Sequence, residues 1–226
     1  MYRYELHLHT APVSRCAVGT VKETVEFYAS MGYDGIFITN HFLDGNIRID
    51  PGVPYKEQLE FYFADYEAAA KEGVRLGIKV FDGVELSYLG TDFLIYGLHK
   101  DWYMKHPEIM EMGKREELAL LAEHGAYIVH AHPFREAGYI DHIRLYPRSV
   151  HAVESTNAAR LDSENLMAHL YAEQYGLPEL AGSDNHWAGN VKTLAGMECP
   201  RPLDSVEDFI SAAVNGELRP FIIKLQ

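Results

Sequence analysis

The sequence predicts an α/β protein whose mostly parallel strands curl into a distorted (β/α)7 barrel, TIM-like in layout. Short apolar segments alternate with helical ones from end to end, which is the signature of βα units. Seven strand segments are each followed by a loop or helix. The 226 residues fall short of the roughly 250 typical of an eight-unit barrel, so seven units fit better. The whole chain, 1–226, reads as one domain. It contains no glycine-rich phosphate loop and no dinucleotide fingerprint, so neither a P-loop NTPase nor an NAD enzyme has support.

Residues 2–8 alternate, with Tyr4, Leu6 and Leu8 on one face and Glu5, His7 and His9 continuing the other. Thr20 opens a helix through a capping box with Glu23, and Gly32 stops it. A strand follows at 33–41, then a loop with Gly45, Pro51, Gly52 and Pro54. A helix is expected from Lys56 to Leu76, closed by Gly77, with the aromatic run 58–66 serving as core packing. Strands are expected at 78–86 and 92–98. Pro107 suits the first turn of a helix to His124, closed by Gly125. Strands at 126–132, 152–155 and 180–183 complete the set, with helices at Asp162–Tyr175 and Asp204–Asn215.

Hydrophobic residues make up 47% of the chain and charged residues 23%, a balance that excludes intrinsic disorder. No apolar run reaches the roughly 18 residues of a membrane span, and the first residues, MYRYELHLHT, lack the features of a signal peptide. Two cysteines, Cys16 and Cys199, point to a reducing, cytoplasmic location. The formal net charge is −13, which disfavours a nucleic-acid polymer as partner. A small anion remains compatible if bound cations reverse the local field.

The 12 histidines make imidazole and carboxylate the expected metal donors. His7 and His9 end the first strand, and their i, i+2 spacing puts both rings on one face. His41 ends the second strand, Glu85 stands near the end of the third, and His130 and His132 end the fifth. Asp184 and His186 follow the seventh. Asp92, at the start of the fourth, breaks the rule. In a parallel barrel the carboxyl ends of strands share one face, so these residues are expected to meet. Such a set suits two or three divalent ions of Mn, Zn or Fe. His99, His106, His124, His142, His151 and His169 lack partners at ligand spacing and read as ordinary polar residues. His130 reads either as a ligand or as a ring buried one layer lower.

HLHT (7–10), ITNH (38–41), GVELSY (83–88), HAHP (130–133), VESTN (153–157) and GSDNH (182–186) together resemble the PHP superfamily, named for polymerase and histidinol phosphatase domains. The order matches, and NGEL (215–218) extends the likeness to nearly the whole chain. The resemblance implies a distorted barrel with up to three divalent metals and hydrolysis of a phosphoester in a small phosphorylated substrate. Carried over, His7, His9, Glu85 and Asp184 match the ligands of one metal. Glu85 bridges to a second, also held by His132, while His41 and His186 match ligands of the third. Two departures stand out. Arg15 or Cys16 occupies the region where the family carries an Asp or His, and Asp92 aligns with a family His on the second metal. Arg135 and Arg160 follow HAHP and VESTN and are candidates to fork onto a phosphate. His186 is the candidate proton donor, and Asn40, Ser183 and Asn185 are candidate orienters. The alternatives are an amidohydrolase-like enzyme acting on another bond and a non-catalytic PHP module.

Overall fold

A computed structural model describes residues 1–225. Ten strands form two mixed five-stranded sheets. The first has the order β10-β9-β1-β2-β3: Arg219–Lys224, Thr193–Cys199, Tyr2–Glu5, Gly35–Ile38 and Lys79–Asp82. The second runs β4-β5-β6-β7-β8: Val84–Tyr88, Thr91–Tyr96, Tyr127–Ala131, Ala152–Asn157 and Glu179–Gly182. The α/β class is as expected, but the strands do not close as one continuous ladder. The sheets meet through isolated bridges, Leu8 with Asn185 and His41 with Glu85. The split falls at Gly83. The expected strand 78–86 breaks there, sending β3 into one sheet and β4 into the other. A Cβ at Gly83 would lie 2.9 Å from Thr39 Cγ2, so a larger residue would force these segments apart.

Several strands run antiparallel, contrary to the simple βα pattern. β4, β5 and β6 pair antiparallel in turn, and the β4–β5 hairpin turns at Leu89 and Gly90, both with positive φ as a tight hairpin needs. This reversal explains Asp92. The start of β5 lies beside the end of β4, and Ser87 pairs with Asp92. β9 and β10 escaped the sequence reading. β9 is buried along most of its length between β1 and β10, so it lacks the polar alternation that marks a half-exposed strand.

The helices are α1 (Val21–Ser30), α2 (Tyr55–Leu76), α3 (Lys100–Lys105), α4 (Lys114–Glu123), α5 (Asp162–Tyr175) and α6 (Val206–Val214). The Thr20–Glu23 capping box is present. Gly77 ends α2 in the left-handed conformation. The helix expected at Pro107–His124 is instead a 3₁₀ turn, Pro107–Glu111, then α4. Among the described residues no helix is long and apolar enough to cross a membrane.

Two tyrosines connect the core to the site. Tyr96 Oη donates to Leu6 O at 2.8 Å, just before His7. Tyr62, from the aromatic run on α2, donates to Asn40 O at 2.8 Å, just before His41. Leu59, Tyr62 and Phe63 are buried, so this run packs into the core as expected.

Away from the site, His99 Nδ1 lies 2.8 Å from Asp82 Oδ2, and this hydrogen bond raises the imidazole to about 9. A pKa raised in the folded state adds stability that is complete below the unfolded value of about 6.5 and is lost as pH rises through 9. The ring is half exposed, so screening limits the effect to about 1 kcal/mol at most. Urea titrations from pH 7 to 10 should therefore show a steeper loss in the natural protein than in His99→Gln. Parallel curves would remove the ion pair from the stability balance.

Candidate metal centre

The chain beyond β1 stays extended. His9 N–H donates to Asn185 O at 2.9 Å, and Leu8 bridges Asn185. His7 and His9 therefore project to the same side, both fully buried. Beyond β2, the His41–Glu85 bridge is continued by Phe42 N–H donating to Glu85 O at 2.9 Å. His132 and Asp184 follow β6 and β8 with φ of +25° and +51°, a strained backbone that the surroundings must hold.

Glu85 is the hub. Its Oε1 lies 3.1 Å from His7 Nε2 and 3.4 Å from His132 Nε2. Its Oε2 lies 2.6 Å from His41 Nδ1 and 3.4 Å from His9 Nε2. Asp184 Oδ1 stands 3.6 Å from His7 Nε2 and 3.5 Å from His9 Nε2. These atoms make three convergent groups: His9–His41–His186, His7–Glu85–His132 and His7–His9–Asp184. A cation is what the arrangement fits. Both Glu85 oxygens and His41 Nδ1 are buried without a hydrogen-bond partner despite these short distances. Orphaned buried polar atoms are costly, and donors aimed at a common point are satisfied by a divalent ion.

The electrostatics agree. Burial pushes Glu85 up, but His41, His7 and His9 outweigh it and hold the carboxyl well below its ordinary range. Asp184 is likewise held down by His7 and His9 against the effect of burial. Burial, with His186 and His41 nearby, keeps His9 well below its ordinary value. His9 is thus kept neutral, whereas, against the effect of burial, Glu154, Asp184 and Glu85 hold His7, and Glu85 and Cys16 hold His41, well above the ordinary imidazole value, so these rings carry positive charge that a divalent ion would displace.

A cavity of about 560 Å³ opens onto this centre, lined by His41, Glu85, His132, Asp184 and His186, with Arg135 and Arg160 on its wall. Asp92 lies outside the three groups. Its Oδ2 accepts from Arg135 Nη2 at 2.9 Å and stands 3.9 Å from His132 Nε2. Arg135 thus shares the carboxylate that sequence reading gave to a metal, and Asp92 still lines the cavity. Arg160 Nη2 stands 3.9 Å from Asp184 Oδ2, and Nε of both arginines is buried without a partner. Cys16 also lines the cavity but stands outside the three groups. Burial pushes its thiol up, yet hydrogen bonds to His186 and His41 bring it down to about 6.

His130 is resolved as a core residue. It stacks on Phe93 with centroids 5.2 Å apart, and burial lowers it to about 3. His99, His106, His142 and His169 pair with carboxylates elsewhere. Asn40 Oδ1 accepts from Thr10 N–H and the Ser14 hydroxyl. Ser183 N–H and Asn185 Nδ2 bond to Glu5 and Tyr28 beneath the centre.

Sequence reasoning missed Glu154 and Ser14. Glu154 Oε1 lies 2.9 Å from His7 Nδ1, and Ser14 Oγ lies 3.1 Å from His9 Nδ1. Glu154 carried a signal, since it is an acidic residue inside VESTN on β7. Ser14 carried none. β8 approaches Glu154 because residue 182 is glycine: a Cβ there would lie 2.6 Å from Glu154 Oε1.

Residues 162–218 match a family model described as PHP-associated. No curated protein matches the chain significantly. Among solved structures, the chain is similar to a two-domain protein from Bacteroides vulgatus that contains a predicted PHP-like metal-dependent phosphoesterase. The TM-score is 0.68 at 14% identity, over 97% of this chain. This chain spans 64% of that protein's length. It is also similar to PsfC from Pseudomonas syringae, with TM-score 0.59, 18% identity, and coverage of 100% and 93% of the two chains. A Chromobacterium violaceum amidohydrolase, solved with bound sulfate and no metal, gives 0.55 at 14% identity, covering 98% and 97%. At these identities the structural likeness shows the fold.

Proposed function

We propose that this chain, whose membership of the PHP superfamily is supported by the PHP-associated match and the fold neighbours, is a metal-dependent hydrolase of small phosphoesters. The carrying observation is the convergence of four histidines on the unpartnered Glu85 carboxylate, beside a cavity walled by two guanidiniums.

His7, His9, Glu85 and Asp184 would hold one ion, with His132 sharing Glu85 toward a second and His41 and His186 serving a third. Divalent ions there supply Lewis-acid stabilisation to a phosphoester and make water nucleophilic at neutral pH. Arg135, kept in place by Asp92, and Arg160 orient the phosphate through guanidinium forks. His186, on the cavity wall and about one-fifth exposed, protonates the leaving oxygen when it is not itself engaged as a ligand. The formal charge of −13 repels bulk anions, so binding of a phosphorylated substrate depends on the local cations. The two free cysteines suit a cytoplasmic setting.

The experiment is a panel of phosphomonoesters, phosphodiesters and amides with metal-stripped protein reloaded with Mn, Zn or Fe(II). Turnover of a phosphoester is the expected result. Turnover of amides alone would favour the amidohydrolase-like reading, which has less support because no lysine lines the cavity. No turnover in protein that binds metal would leave a non-catalytic module.

A further inference from the structure

The two histidines of HLHT point their outer nitrogens in different directions. His7 Nδ1 meets Glu154 Oε1 at 2.9 Å. The other oxygen of Glu154 accepts from His132 N–H at 3.0 Å and from Asn157 Nδ2 at 2.9 Å. His9 Nδ1 meets Ser14 Oγ at 3.1 Å. That hydroxyl donates to Asn40 Oδ1 at 2.8 Å and accepts from His41 N–H at 3.1 Å. A carboxylate only accepts, and the single Ser14 proton is committed to Asn40, so both imidazoles carry their proton on Nδ1. In its neutral form each ring would then leave Nε2 bare toward Glu85, the tautomer a ligand needs.

Each residue also reaches a second histidine. Glu154 restrains the backbone of His132, whose φ of +25° requires support. Ser14 restrains the backbone of His41. Glu154 therefore organises two members of the His7–Glu85–His132 group, and Ser14 two members of the His9–His41–His186 group. Both are buried, and neither lines the cavity. Glu154 lies on β7, whereas Ser14 lies in the loop after β1, and no hydrogen bond joins them among the described residues.

We propose that Glu154 and Ser14 are separate positioning residues, one for each half of the cluster, so that cation loading at His132 depends on Glu154 and loading at His41 and His186 depends on Ser14, while the His7–His9–Asp184 group between them depends on both. This rests on the metal-binding reading above and says how occupancy is partitioned. Glu154→Gln is isosteric but offers one acceptor oxygen where three donors converge, so His7 or His132 N–H must face an amide NH₂. Ser14→Ala removes the acceptor for His9 and His41.

The test uses the full chain labelled with ¹⁵N and stripped of metal. Ring ¹⁵N shifts report the tautomers of His7 and His9, and titration with Zn²⁺ then reports each histidine separately. Glu154→Gln should weaken Zn²⁺ binding sensed at His132 by roughly 10- to 100-fold and leave the response of His41 and His186 unchanged. Ser14→Ala should produce the reverse pattern. Equal losses at both sets in both variants would show one indivisible centre and overturn the proposal. So would no loss in either, or a natural protein whose His7 and His9 are unprotonated at Nδ1. Backbone amide spectra check folding. Should Glu154→Gln not fold, the Ser14→Ala arm decides alone, because a loss at His132 matching that at His41 overturns the separation. These readouts need no turnover, so a failed hydrolase assay with normal Zn²⁺ titrations would sink the function and spare this partition.

Discussion

Glu85→Gln should empty the cation centre and abolish turnover. The substitution keeps volume and removes charge from a residue that is 1% exposed. Its two oxygens lie within 3.4 Å of nitrogens from four histidines, so one change touches all of them. An amide supplies one oxygen and an NH₂ that cannot ligate, and the centre loses a negative charge that offsets the ions. Losing a residue that only supports a ligand costs roughly 10- to 100-fold in affinity or activity, and loss of the shared carboxylate should exceed that. Elemental analysis of purified protein is the direct check. A Glu85→Gln protein with the metal content of the natural one would contradict the central role of this carboxylate.

Metal-stripped protein should melt well below the reloaded form. Ligand present at 100 times its Kd stabilises the folded state by about 2.7 kcal/mol. For a chain of this length each kcal/mol corresponds to roughly 2–4 °C, so Tm should rise by about 5–10 °C. The gain should vanish in Glu85→Gln. Thermal scans with Mn, Zn and Fe(II) measure it. A flat Tm with all three would mean that the buried donors are satisfied without a cation.

Helix ends were legible because their signals are local. Thr20 with Glu23, and the glycine at 77, act within a turn of their own position. The convergence of the site's side chains was legible for a related reason. His7, His9, His41, Glu85, His132 and Asp184 follow apolar strand segments, and strand ends converge wherever a sheet curls. Asp92 shows where this logic stops. It is near the centre, as an acidic residue at that end of β5 should be, but it also pairs with Arg135. That contact spans 43 residues and has no spacing signature. His130 and His132 look equivalent in sequence, yet one stacks on Phe93 and the other faces Glu85.

Residue chemistry and strand periodicity by themselves determined the α/β class and singled out the side chains that converge around Glu85. Only tertiary structure decided that the strands divide into two sheets at Gly83, that Glu154 and Ser14 stand behind the histidines, and that Arg135 pairs with Asp92. The physical reason is range. Alternation, capping and turn chemistry act over a few residues and are written into the chain. The direction of a side chain's lone pair depends on atoms that arrive from distant segments, and these are fixed only when the chain packs.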